Sequence, residues 1–198
     1  MPPNGQRLTA AIARFDALNR DDPNTEVQAG QSIPSQLLYA QRMTSTLERF
    51  APDAPPAVRL AARAQHICRW KIPRESYPPG RDGYRRWRSD LGRFHAETAG
   101  SVLKEVGYDA PMIDHVAALL RKERLKADAD CQLLEDVICL VFCQHYLADF
   151  AAKHDDTKLM NILRRTWQKM SPRGREAAMT LELSPQVRTL IGSAVGGE

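Results

Sequence analysis

Two histidines and one pair of acids are the residues best placed to do chemistry. His66 occurs in LAARAQHICRW and His95 in RFHAE, each beside apolar residues that recur at helical spacing. An imidazole in such a place can ligate a metal, transfer a proton or donate to a buried carboxylate; its structural alternative is a satisfied core or boundary residue. Glu135-Asp136 sits about two turns inside a helix whose other faces are almost wholly apolar, LLEDVICLVFCQHYLADF. Adjacent helical positions point roughly 100° apart, so one acid is expected to look out and the other in. The inward carboxylate must be met by a cation, hydrogen bonds or a metal. Spacing leaves the choice open: Asp136 aligns with Cys139, Leu140 and Cys143, and Glu135 with Ile138, Cys139 and Phe142.

Binding chemistry is suggested by RWKIPRESYPPGRDGYRRWR, Arg69 to Arg88, which holds seven basic and four aromatic residues against two acids. Seven against two gives +5 in this stretch, while the whole chain carries +4, so the remainder is about neutral. A local cluster of guanidinium groups with Trp and Tyr suits an anionic ligand, with a ring for stacking. Arg69, Trp70, Arg74, Tyr77 and Arg81 are the candidates, because Arg85, Arg86 and Arg88 begin the next helix and cannot all face one way. A second cluster, RKERLK from Arg121 to Lys126, adds Lys122, although cations at a helix end also complement its dipole. With so little net charge elsewhere, extended nucleic-acid binding is disfavoured. His115, His145 and His154 are expected on outer helix faces, His145 within pairing distance of Asp149.

These side chains need helices to hold them. Apolar residues recur at three- and four-residue spacing and no long period-two pattern occurs, so the chain reads as all-α, without strands. Expected helices run from about Gln6 to Arg20, from a Ser35 cap to Phe50, and from Ala57 to Trp70 after the APDAPP linker. Pro and Gly then predict a rigid loop at about 71–83. A long helix covers Tyr84 to Val106, Asp109-Ala110-Pro111 starts one to Arg124, and Asp130 starts the most apolar helix, expected to lie centrally and end near His154. Asp156 or Thr157 opens a helix to Lys169; Ser171-Pro172 and Ser184-Pro185 pair a capping hydroxyl with a proline, and the terminal GGE should fray.

At 198 residues, with 43% hydrophobic and 26% charged, the chain is expected to form a single compact multi-helix domain, 1–198, with a true core. Its N-terminus lacks a signal-peptide core, and no window approaches the roughly 20 apolar residues of a membrane helix, so a cytoplasmic protein with no membrane partner is expected. Cys68, Cys131, Cys139 and Cys143 form no C-x-x-C pair and are expected to be buried thiols.

The string AARAQHICRWKIPRESYP, followed by GYRRWR, RFHAE, LLRKERLK, LEDVICLVF and RTWQKMSPRG, resembles the family known as domain of unknown function 4202, over nearly the whole chain. The order of AARAQH, HAETAGSVLKEVGY, VAALLRK and LEDVICLVF is more distantly similar to HD-domain metal-dependent phosphohydrolases, all-helical proteins with an H...HD...D ligand set. That resemblance implies an HD-like fold, matches His66 to the doublet's histidine and Asp136 to the final aspartate, and implies a divalent metal. Ile67 stands where the doublet's aspartate belongs, and the second helix offers Tyr39, Gln41 and Arg42 but no histidine, so His95 or Glu97 would have to complete the set. The resulting candidates are His66, His95 and Asp136 for catalysis and metal, with Arg69, Trp70, Arg74, Tyr77, Arg81 and Lys122 for the ligand. The expected function is a phosphate- or nucleotide-ligand protein, with phosphoester hydrolysis as its enzymatic form. The alternative is a non-catalytic module for a nucleotide, an RNA end or an acidic partner protein.

Overall fold

The computed structural model describes residues 4–183 and 185–195, and its internal contacts divide the chain into two compact units, Met1–Cys131 and Gln132–Glu198. Helices dominate both, as the apolar spacing requires. The first unit holds α1 (Asn4–Arg20), a hairpin of β1 (Thr25–Gln28) and β2 (Gln31–Pro34), α2 (Ser35–Phe50), α3 (Pro56–Ala64), α4 (Gly80–Glu105), α5 (Ala110–Arg121) and the start of α6 (Ala129–His145). The hairpin departs from the expectation of no strands. It pairs Thr25 with Pro34 through Gln28 with Gln31, and turns at Ala29 and Gly30, both at positive φ (49° and 77°). Two consecutive positive-φ residues make the turn that matches strand twist. No period-two signal announced it because both strands are largely exposed, Val27 at 74%.

Ser35 was the expected cap of α2, but the structure shows no side-chain cap there. The carboxylate of Asp22 accepts from Gln36 N (3.0 Å) and also from Asn24 N (3.0 Å). One buried acid thus closes the turn before the hairpin and satisfies a free donor of the helix.

In the first unit α3, PAVRLAARA, is the helix buried on nearly every side. Ala57, Val58, Leu60, Ala61, Ala62 and Ala64 are sealed off, and α1, α2 and α5 pack around it. Small side chains allow that close approach. Its buried charge, Arg63, is held in a fork: Nε and Nη2 donate to the two carboxylate oxygens of Asp16, each at 2.7 Å, and Nη1 donates to Thr44 Oγ1 at 3.1 Å.

The expected extension of α3 to Trp70 does not occur. The chain turns at Gln65–Cys68, where Cys68 takes φ 51°, and Asn19 Oδ1 accepts its backbone N–H at 3.0 Å. A left-handed non-glycine residue costs about 1–2 kcal/mol. The bond from a fully buried asparagine helps to offset it.

The expected loop at 71–83 is shorter and more ordered than its prolines suggested. Single turns of 3-10 helix cover Arg69–Lys71 and Arg74–Ser76, and α4 already starts at Gly80. At Gly83 a Cβ would lie 1.9 Å from the Pro78 carbonyl oxygen, so glycine is required for the chain to fold back on the helix start. Helix α5 packs along α4 and is capped as expected by Asp109, which accepts from Met112 N at 3.1 Å. It ends on Lys122 at φ 57°, where glycine is the usual residue.

The second unit contains the rest of α6, α7 (Leu147–Ala151), α8 (Asp156–Lys169), α9 (Pro172–Met179) and α10 (Pro185–Val195). Leu147, Leu159, Leu163, Val187, Ile191 and Ala194 form its core with Cys143. Helix α6 stops at His145 rather than near His154, because Tyr146 leaves helical geometry before α7. Asp155, one residue before the expected start, caps α8 by accepting from Lys158 N (2.9 Å). Ser171 caps α9 as expected, accepting from Gly174 N at 3.0 Å, with Pro172 first in the helix. Ser184 and the terminal Gly-Gly-Glu lie outside the described residues. All four cysteines are buried thiols, and among the described residues no helix is long and apolar enough to cross a membrane.

Candidate functional site

A cleft of about 530 Å3 opens in the first unit where three elements meet. The turn after α3 supplies Gln65 and His66, α4 supplies Arg88, Gly92 and His95, and the end of α5 supplies Arg121 and Lys122. Arg88 and His95 share a face of α4 because seven residues are close to two turns. Gly92 lies between them, where an added Cβ would come within 3.6 Å of Arg121 Cα.

His95 is buried and fixed. Its Nδ1 lies 2.8 Å from the Ile67 carbonyl oxygen, which can only accept, so Nδ1 carries the proton and the neutral ring leaves Nε2 as a bare acceptor. Nε2 has no partner, and neither does Gln65 Oε1, also buried at the cleft. Burial pushes the His95 pKa down from 6.5 to about 4; the Ile67 hydrogen bond opposes this, and the charges of Arg69 and Arg88 reinforce it.

The partly buried ring of His66 stacks on Tyr39, with centroids 4.0 Å apart and planes 14° apart, and lies 6.1 Å from the His95 ring. Arg69 Nη1 donates to His66 Nε2 at 2.9 Å. Since arginine never accepts, His66 presents a lone pair there and stays uncharged. Its pKa lies well below 6.5, first through burial, then through the charge of Arg69, the repulsion a proton on His95 would add, and the charges of Arg88 and Lys122. The guanidinium of Arg69 also covers the Trp87 ring (4.9 Å), and Trp87 Nε1 is anchored to the Ile72 carbonyl oxygen (2.9 Å).

The cations of the cleft differ in how they are neutralised. Arg93 pairs with Asp90, and Arg121 with Glu123 at 2.5 Å. Arg88 has no carboxylate partner among the described residues, and Arg69 lies against His66 and the Trp87 face, likewise with no carboxylate partner among the described residues. Burial and the charge of Arg88 lower the Arg69 pKa, so the two guanidinium groups repel across a partly desolvated space.

Of the sequence candidates, the structure therefore places His66, His95 and Lys122 at the cleft and bonds Arg69 to His66. Other candidates have different positions. Arg74 holds the loop, its Nη1 donating to the Tyr77 carbonyl oxygen (2.9 Å) and its Nη2 to that of Pro78 (3.0 Å). Tyr77 donates its hydroxyl to Asp90 (2.9 Å), Trp70 is partly buried in the first 3-10 turn, and Arg81 is exposed at the start of α4. Gln65, Arg88 and Arg121 were not singled out; the seven-residue interval from Arg88 to His95 was the signal available for Arg88.

Asp136 belongs to the second unit, where its carboxylate accepts from Ser171 N (2.8 Å), Ser171 Oγ (2.5 Å) and Gln132 Nε2 (3.1 Å). Gly174 leaves room for it, since a Cβ there would be 2.6 Å from Asp136 Cγ. Glu135 is buried as well, with Lys169 Nζ at 3.6 Å, so the expected in-and-out division of the two acids does not hold. A divalent metal fits these residues poorly. Arg69 already donates to the His66 nitrogen, the nearby charges are positive, and three donors occupy Asp136. Among the described residues no three His, Cys, Asp or Glu side chains gather to hold a metal.

The family described as "Domain of unknown function (DUF4202)" matches residues 9–191. No curated protein and no solved structure matches the chain.

Proposed function

For a chain that belongs to the DUF4202 family, whose description names no reaction, we propose from the chemistry of the cleft that it binds the phosphate group of a small molecule or nucleotide. The observation that carries this reading is the unneutralised pair Arg69 and Arg88, with Lys122 beside them. An anion between these groups converts mutual repulsion into charge-assisted hydrogen bonds, and guanidinium groups match the oxygens of a phosphate two at a time. Isothermal titration of the full chain with inorganic phosphate and with ATP tests it. Binding that weakens at least tenfold in Arg88→Ala supports the site; absence of binding at millimolar ligand, or an unchanged affinity in the variant, refutes it.

The fixed tautomer of His95 favours a second reading, hydrolysis of a bound phosphoester. Water oxygen would form the new bond to phosphorus and pass its proton to Nε2. The ester P–O bond would break, and the imidazolium would return the proton to the departing alkoxide. A ring whose pKa is about 4 accepts protons weakly at pH 7, which ranks this reading below binding. Phosphate release from p-nitrophenyl phosphate, lost in His95→Gln, is its test.

A further inference from the structure

We propose that the cleft selects an anion that carries its own hydrogen-bond donor, such as hydrogen phosphate or a phosphomonoester bearing a P–OH group, over an anion of the same shape that has none. This rests on the reading of the cleft as a phosphate site and goes beyond it. Two buried acceptors of the cleft, Gln65 Oε1 and His95 Nε2, lack donors, in residues only 5% and 4% exposed. The Ile67 carbonyl holds the His95 proton on Nδ1, so the neutral ring can offer Nε2 only as an acceptor.

The consequence follows from the donor inventory of the ligand. Sulfate at neutral pH is acceptor-only; against Gln65 and His95 it places oxygen lone pairs opposite lone pairs and leaves both acceptors as unpaired as they are in the free protein. Hydrogen phosphate has the same tetrahedral shape and at least one proton, which either acceptor can take as a hydrogen bond. Arg69, Arg88 and Lys122 attract both anions, and sulfate carries at least as much charge, so the cations cannot produce a preference for phosphate. The donor-bearing anion gains a hydrogen bond to an acceptor that is otherwise buried and unpaired, while sulfate meets lone-pair repulsion there, and sites built on such a bond discriminate strongly.

Isothermal titration of the full chain at pH 7 and matched ionic strength, with inorganic phosphate and with sulfate, tests the proposal. Phosphate is expected to bind at least tenfold more tightly. Gln65→Leu removes one orphan acceptor and His95→Gln offers an amide donor in place of the other, and in each the preference is expected to fall at least threefold. Circular dichroism identifies a variant that has not folded, and the wild-type comparison stands without either. If neither anion binds, the phosphate site itself fails and this inference with it. If both bind within twofold, the donor selection is overturned while the anion site stands. A phosphate preference unchanged in both folded variants also overturns it.

Discussion

Acid should weaken the first unit through His95, and the size of the effect follows from its surroundings. The folded state holds this pKa near 4 against an ordinary 6.5 because burial disfavours the imidazolium, with Arg69 and Arg88 adding repulsion. The unfolded chain therefore binds the extra proton between those two values and the native state does not. Stability from this group is intact above pH 6.5, falls as the pH drops below 6.5, and levels off below pH 4. Between pH 7.5 and pH 5 the loss is about 2 kcal/mol, approaching about 3 kcal/mol at lower pH. The assay is urea unfolding of wild type and His95→Gln in a Trp167→Phe background, followed by the fluorescence of Trp70 and Trp87 in the first unit. His66, shifted in the same direction chiefly by its own burial and by Arg69, titrates in both proteins, so most of the difference between them belongs to His95. The gap between wild type and variant should move by about 2 kcal/mol in favour of the variant between pH 7.5 and pH 5. A gap that stays constant, or an NMR titration of His95 Nε2 centred near 6.5, refutes the placement of this ring.

Three substitutions probe the supports of the fold. Gly83→Ala should lower stability by about 2–3 kcal/mol, because a Cβ at 1.9 Å from the Pro78 oxygen forces backbone movement; thermal unfolding measures it. Asp16→Ala strands the guanidinium of Arg63, itself 8% exposed, and should cost about 3–5 kcal/mol, read from the urea midpoint. Asp136→Ala leaves Ser171 N, Ser171 Oγ and Gln132 Nε2 without their acceptor, for a loss of about 2–3 kcal/mol in an unfolding transition monitored by Trp167.

What the sequence revealed of the helices, it revealed through periodicity and local caps. Asp109-Ala110-Pro111 and Ser171-Pro172 carry their stop and start signals within four residues, and both helices begin where those signals lie. Features set by distant partners could not be read in that way. Asp22 caps α2 from fourteen residues away along the chain, and Asn19 fixes Cys68 across forty-nine. At Cys68 and Lys122 the chain adopts positive φ without the glycine that would have marked it, so α3 was extended too far. The hairpin escaped notice because a strand with little buried surface has no reason to alternate.

The candidate site was legible in residue type more than in position. His66, His95 and Lys122 line one cleft and Arg69 is bonded to its His66, whereas Arg74 is expected at the ligand because a proline-fixed loop that presents planar donors suits an anion. In the structure the loop needs that arginine itself: a segment with three prolines and few repeating backbone bonds still has carbonyls to satisfy, and Arg74 satisfies those of Tyr77 and Pro78. Arg88 escapes this demand because it stands on α4, where the helix supplies its own backbone bonds. The turn that ended α3 early completes the arrangement. By breaking the helix at Gln65–Cys68 it frees the Ile67 carbonyl to accept from His95 Nδ1, and that bond leaves the opposite nitrogen bare in a cleft of positive charge. Backbone strain at Cys68 and the orientation of His95 are thus two consequences of one turn.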